Sequence, residues 1–220
     1  MELLQQLQIQ PGVCAILGSG GKTSLMLHLA RRLPGRVIVG TTTRIFPPEL
    51  PLYTGGDVAG AAALLARHRV ICAASPAAQG KLAASPIPPQ ELARLADYVL
   101  LETDGSKHLP LKAHLAHEPA IPPEANRRIL VVGCSGFGQS AEAAVHRPEQ
   151  FCRLARLSVR EPVLPRHVAA VIRAEALCDT VLVNQVDSPA DLALARELAA
   201  CLPNLPVFAA SVQTGRCQRV

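Results

Sequence analysis

Gly18-Ser19-Gly20-Gly21-Lys22-Thr23-Ser24 follows directly on the apolar run Val13–Leu17. Small residues let successive backbone N–H groups curl around an anion, and a helix opening there adds the positive end of its dipole. A lysine at that point neutralises outer phosphate oxygens, and a threonine hydroxyl reaches a phosphate-bound Mg²⁺. The spacing predicts a phosphate-binding loop. Gly18, Ser19, Gly20, Gly21 and Ser24 would surround the anion, Lys22 would be its counter-ion, and Thr23 a metal ligand. A full Walker pattern has a glycine where Ile16 stands, so this is the shorter G-x-x-G-K-T form.

Two further strand ends carry chemistry. Tyr98–Lys107 reads as an apolar strand closing on Glu102-Thr103-Asp104-Gly105. A carboxylate in that position holds the water shell of Mg²⁺ opposite a phosphate loop. Glu102 and Asp104, two apart, fall on one face of an extended chain and are candidate metal ligands. Asn184-Gln185-Val186-Asp187 also ends an apolar run and resembles the guanine-reading N-K-x-D motif, with Gln185 in place of lysine. Asp187 would accept from the base while Asn184 supports the loop. Alternatively, both residues merely end a strand and cap the next helix. Thr42, Thr43 and Arg44 follow the second strand and could order a second phosphate, a metal-bound water or a substrate anion. The alternative there is a Thr-rich strand tail.

Between residues 105 and 150 lie Lys107, Lys112, His114, His117, Glu118, His146 and Arg147. His114 and His117 are three apart, but no third ligand has supporting spacing for zinc. Arg147 suits an internal arginine finger, and His117 or His146 an acid–base role. The competing reading is loop-stabilising hydrogen bonds. The candidate catalytic set is Lys22, Asp104, Lys107, His117, Glu118 and Arg147, with Lys112 beside them in a pocket facing the phosphate loop.

These residues need elements to position them. Apolar strand candidates are Val13–Leu17, Arg36–Thr41, Arg69–Ala73, Tyr98–Glu102, Ile129–Gly133, Thr180–Asn184 and Pro206–Ala210. Several are apolar throughout, as parallel strands covered on both faces must be. Helical periodicity falls near 22–33, 58–67, 89–96, 166–177 and 189–202, the last opened by Ser188 and Pro189. The alternation predicts an α/β, P-loop NTPase-like three-layer domain with a mostly parallel sheet. One such domain is expected over 1–220, with 74–89 an extended loop and 105–165, which holds seven prolines, an irregular lid or substrate region.

Composition removes other classes. The net charge of +5 and the isoelectric point near 9.0 invite a nucleic-acid reading. However, no basic run exceeds two residues and aromatics are only 3%, so no nucleic-acid partner is expected. Mean hydropathy is +0.23, owed largely to alanine, and no apolar run approaches the ~20 residues of a membrane span. Seven scattered cysteines without a C-x-x-C pair, and no leader pattern, fit a cytoplasmic protein.

The loop resembles that of Mur-ligase-type ATPases, and the E-x-x-G strand end resembles GTPases that insert nickel or cobalamin cofactors. Across most of the chain, the motifs resemble the YqeC family of accessory proteins for selenium-dependent molybdenum hydroxylases. They are Gly18–Thr23, Thr41–Arg44, Gly80–Leu82, Glu102–Lys107, Pro110–Lys112, His117–Pro119, His146–Glu149 and Asn184–Asp187. The resemblance implies a P-loop domain that takes ATP or GTP with Mg²⁺ and helps mature a molybdenum- and selenium-containing cofactor. Expected partners are that cofactor or its precursor and a molybdenum hydroxylase. Three functions stay open: an NTPase or NTP-dependent transferase, a nucleotide-switched chaperone that does no chemistry on its cargo, and a phosphate loop that only binds.

Overall fold

The computed structural model describes residues 2–220. In chain order the elements are α1 (Leu3–Leu7), β1 (Gly12–Gly18), α2 (Lys22–Arg32), β2 (Val37–Thr41), β3 (Arg44–Ile45), β4 (Leu52–Tyr53), α3 (Val58–Arg67) and β5 (Val70–Ala73). Next come β6 (Ser75–Pro76), β7 (Leu82–Ala83), α4 (Pro89–Leu95), β8 (Tyr98–Glu102), β9 (Leu111–Lys112), β10 (Ala125–Gly133), α5 (Ala141–Ala144) and β11 (Val145–His146). The chain finishes with α6 (Pro148–Ala155), α7 (Pro165–Glu175), β12 (Thr180–Asn184), α8 (Pro189–Ala200), β13 (Val207–Ser211) and β14 (Arg216–Arg219).

Nine strands form one sheet in the order β14-β13-β12-β10-β1-β8-β2-β5-β4. Every pairing in it is parallel except β13 with β14. The expected α/β class with a mostly parallel sheet is therefore what the chain adopts. β2, β8, β12 and β13 are buried along their whole length, which is why their sequences are continuous apolar runs.

Helices cover both faces. On one, Leu25, Met26 and Leu29 of α2 pack with Cys14, Ile16, Val39 and Leu100. On the other, α3 and α4 cover Val13, Ile38 and Val99, while α7 and α8 cover Leu17, Leu130 and Val183. Alternation along β1, with Cys14 and Ile16 on one side and Val13 and Leu17 on the other, places that strand at the centre of both layers. No helix among the described residues is long and apolar enough to cross a membrane.

Besides the expected strand within β10, the 105–165 stretch holds more regular structure than expected: β9, α5, β11 and α6. β9 and β11 pair as a two-stranded ribbon, Val145 with Leu111 and His146 with Lys112. Two-residue strands and four- to eight-residue helices are too short to show a period.

Helix α2, which follows the glycine turn after β1, is anchored at its far end by Arg69. Its guanidinium donates to the carbonyls of Leu33 at 2.7 Å, Arg31 at 2.8 Å, and Ala30 and Gly35 at 3.3 Å. Ala30, Arg31 and Leu33 carry the orphan acceptors of the helix C-terminus and its cap, where a cation also meets the negative end of the dipole. Arg69→Ala should lower unfolding free energy by about 1–2 kcal/mol in urea titrations. Arg69→Lys should recover little of it, because a single ammonium cannot span four carbonyls.

Candidate functional site

β1 ends at Gly18, α2 begins at Lys22, and the intervening turn has left-handed backbone at Gly20 (φ 82°) and Gly21 (φ 121°). A Cβ on Gly20 would run into the Gly133 backbone, and one on Gly21 into the Asn184 side chain. Both positions therefore need glycine on conformational and steric grounds. The Ser19 N–H is spent on the Val131 carbonyl at 2.9 Å, whereas the Gly20 and Gly21 amides have no hydrogen-bond partner among the described residues. Free donors followed by an α-helix N-terminus make a concave anion seat.

Lys22 does not point into solvent. Its ammonium donates to the Gly18 carbonyl at 2.7 Å and lies 3.3 Å from Asp104 Oδ1 and 3.6 Å from Glu102 Oε1. The Thr23 hydroxyl donates to Glu102 Oε2 at 2.6 Å. β8 and β1 are paired neighbours, with Ile16 opposite Glu102, and this register sets the strand-end acids beside the loop. Burial pushes the Glu102 carboxyl up, partly offset by Lys22 and Thr23.

Asp104 is fully buried. Its Oδ2 accepts from the Gly18 N–H at 2.9 Å and from His114 Nε2 at 2.7 Å, with Lys112 Nζ 3.3 Å away. Its Oδ1 has no hydrogen bond. Burial alone would raise this carboxyl, but His114, Lys22 and Lys112 together hold it below the usual range. His114 Nδ1 meets Glu175 Oε2, also at 2.7 Å. Carboxylates accept only, so both ring nitrogens must donate and the ring is an imidazolium. Desolvation opposes that charge; the bonds to Asp104 and Glu175 outweigh it and raise the pKa.

The network extends outward. Lys112 donates to Glu118 Oε2 at 2.8 Å and to the Gly105 carbonyl at 2.6 Å, and Arg147 Nε reaches Glu118 Oε1 at 3.2 Å. Four cations (Lys22, Lys112, His114, Arg147) thus interleave with four carboxylates (Glu102, Asp104, Glu118, Glu175). His146 is buried beside them; desolvation, then Lys112 and Arg147, lowers its pKa to about 4, so it is neutral at pH 7.

The structure thus gathers Gly18, Lys22, Thr23, Glu102, Asp104, Glu118 and Arg147 of the sequence candidates. Thr42 lies next to them, its N–H on the Glu102 carbonyl at 3.0 Å and its Oγ1 buried without a partner; the Thr43 N–H bonds Thr41 Oγ1. Ser24, Arg44, Lys107 and His117 are exposed and make no side-chain hydrogen bond or ion pair among the described residues. His114 with Glu175 escaped the sequence reading as a pair. They are 61 residues apart, and the one signal was a glutamate at the C-terminal end of α7, where the dipole disfavours an anion.

Asn184 bridges two loops, donating to the Gly20 carbonyl at 2.8 Å and accepting from the Val212 N–H at 3.0 Å. The cap of α8 is made instead by Ser188 and Asp191. Gln185 turns away onto the Ser135 hydroxyl at 2.8 Å. Asp187 is exposed on a cavity of about 370 Å³ lined also by Ser188, Leu192, Ser211 and Arg216.

Comparison with known proteins shows what this chain is similar to. The family described as YqeC protein matches residues 14–149. The Escherichia coli (strain K12) protein YqeC is 34% identical over 179 residues, spanning 76% of this chain and 69% of that protein. Among solved structures, the hydrogenase maturation factor HypB from Archaeoglobus fulgidus aligns at TM-score 0.42 and 13% identity, over 97% of this chain and 87% of that one.

The charged state of His114 can be checked by pH. Its folded pKa lies above the ordinary 6.5, so its stabilisation is full below that value and is lost as pH rises through the raised one. Asp104 works in reverse: its contribution is present above 3.8 and is lost as pH falls through its depressed value. His114→Gln should cost about 3 kcal/mol or more near pH 6, since it strands two carboxylates, and less on the alkaline side. The wild-type ring should titrate above 6.5 by NMR; a midpoint at or below 6.5 rejects the imidazolium.

Proposed function

This chain belongs to the YqeC family, and from that footing we propose that it binds a nucleoside triphosphate with Mg²⁺ and hydrolyses it, or transfers its phosphoryl group. The observation that carries this reading is the seat itself. Two unspent glycine amides open a helix, with a lysine, a threonine and two acids around it.

The donor set fits Mg²⁺, a hard cation that takes oxygen ligands. Thr23, Glu102 and Asp104 supply them; Asp104 Oδ1, which meets Lys22 but accepts no hydrogen bond, and Thr42 Oγ1 are oxygens with capacity to spare. The ion, held by these residues, would neutralise phosphate charge. Lys22 is already committed to the Gly18 carbonyl and two carboxylates. Triphosphate must draw its ammonium away, which leaves those carboxylates free for the metal. Nucleotide and Mg²⁺ binding are coupled through this exchange.

The cavity beside Asp187 is the seat for the base. An exposed carboxylate there favours guanine, which presents an N1–H and an exocyclic amine together. Gln185, held on Ser135, does not cover the base as a lysine stem would. Asn184 ties the loop under the phosphates to the Val212 loop.

The cargo follows from the motif resemblance: a molybdenum- and selenium-containing cofactor or its precursor, destined for a molybdenum hydroxylase. Glu118 and Arg147, joined to the loop through Lys112, face it. A second reading is a nucleotide-switched chaperone that delivers this cofactor unchanged. The ion-pair line from Lys22 through Asp104 and His114 to the end of α7 favours it, because it links phosphate occupancy to a helix. Turnover of a small molecule without the partner protein separates the two readings.

Lys22→Ala should abolish binding of a fluorescent nucleotide, and chelation of Mg²⁺ should weaken wild-type binding by at least tenfold. Unchanged affinity in the variant sinks the phosphate-loop assignment. In competition between GTP and ATP, Asp187→Ala should erase the preference for GTP; a preference that survives removes the base-reading role.

A further inference from the structure

Phenylalanine is scarce here, with four in the chain. Phe137, Phe151 and Phe208 are buried, whereas Phe46 is 55% exposed. A single exposed apolar residue is ordinary; what sets Phe46 apart is its neighbours. The His108 ring lies near-parallel to Phe46, with centroids 6.3 Å apart and planes at 21°, and Lys81 Nζ sits 5.0 Å over the Phe46 ring.

Register brings these three together. Thr41 of β2 lies opposite Glu102 of β8, so the two chains leave the sheet side by side. Five residues on is Phe46; six residues on is His108. In the small sheet of β3, β7 and β6, Ile45 pairs with Leu82, which sets Lys81 opposite Phe46. The turns that present the partners are strained. Lys107 (φ 49°) and His108 (φ 63°) are consecutive non-glycine residues in left-handed backbone, and Gln79 (φ 62°) precedes Lys81 in its turn. Strain of this kind persists where the surroundings fix a loop for use.

Charge around the rings is unbalanced. Lys81, Lys107 and Arg44 make no ion pair among the described residues, in contrast to the fully paired cations beneath the phosphate loop. The Ser106 hydroxyl, two residues from His108, is 3.4 Å from Lys22 Nζ. The aromatic surface and the phosphate loop therefore share one segment.

We propose that Phe46, His108 and Lys81 form a binding platform for a planar conjugated ring bearing negative charge. The rings take its face, and Lys81, Lys107 and Arg44 take its anionic substituents. Such a ligand is a second substrate, held beside the nucleotide phosphates. The platform stands on its own geometry; its role as second-substrate seat rests on the nucleotide reading. A nucleic-acid strand is the poorer occupant, because one stacked pair of rings cannot take successive bases.

The test uses flavin mononucleotide and pterin-6-carboxylate as planar anions, with riboflavin as the neutral ring and inorganic phosphate as the ringless anion, read by fluorescence titration. Both planar anions should bind, riboflavin more weakly, and phosphate should not displace them at equal concentration. Phe46→Ala, with circular dichroism to confirm its fold, should weaken them about five- to hundredfold, and Phe46→Tyr should retain them. The platform is overturned if neither anion binds or if Phe46→Ala binds both as the wild type does. If Phe46→Ala weakens them while Lys22→Ala leaves nucleotide binding intact, the platform stands and the nucleotide reading alone falls.

Discussion

The fully buried carboxylate of Asp104 is the point on which this architecture turns. A lone charge removed from water costs several kcal/mol, so it persists only where donors surround it. Here the Gly18 amide, the His114 imidazolium and two lysines do so. Those donors come from the phosphate loop, α2, β9 and the loop that follows β9. Satisfying one carboxylate therefore fixes the relative positions of segments that would otherwise meet only through loops. Glu102, one strand end away, completes the same job for Thr23 and Lys22.

This arrangement gives the resting protein a lysine that is already neutralised. A free ammonium would seize any phosphate or sulfate that passed. On the proposed function, Lys22, held between two acids and a carbonyl, would respond to a ligand that also brings a replacement cation. Selectivity for a metal-bound polyphosphate over simple anions would then arise from competition within the site, before any contact with base or sugar is made.

Much of this was legible in the chain. Strands such as Tyr98–Glu102 and Thr180–Asn184 are apolar along their length because they are covered on both faces, and their limits coincide with those of the apolar runs. The cap of α8 was equally plain, since Ser188 and Pro189 act locally. β14 was not visible: in Arg-Cys-Gln-Arg only Cys217 faces inward, and the strand exists because β13 offers it an edge. α1 spans five residues, too few for a period. At the site, local spacing gave Lys22, Thr23, Glu102 and Asp104. It could not give the His114–Glu175 bond, which is a product of packing α7 against the ribbon, nor choose between the two readings of Asn184.

The margins of the large sheet have a consequence for solubility. A parallel sheet of this size would end in open rows of amides and carbonyls, which are templates for pairing with another molecule. One margin stops at β4, only two residues long. The other is β14, reversed in direction, with Arg216, Gln218 and Arg219 exposed. Positive charge on an outermost strand repels a second copy arriving edge-on. Part of the basic character that looked like an affinity for nucleic acid thus lies where it guards an open sheet edge.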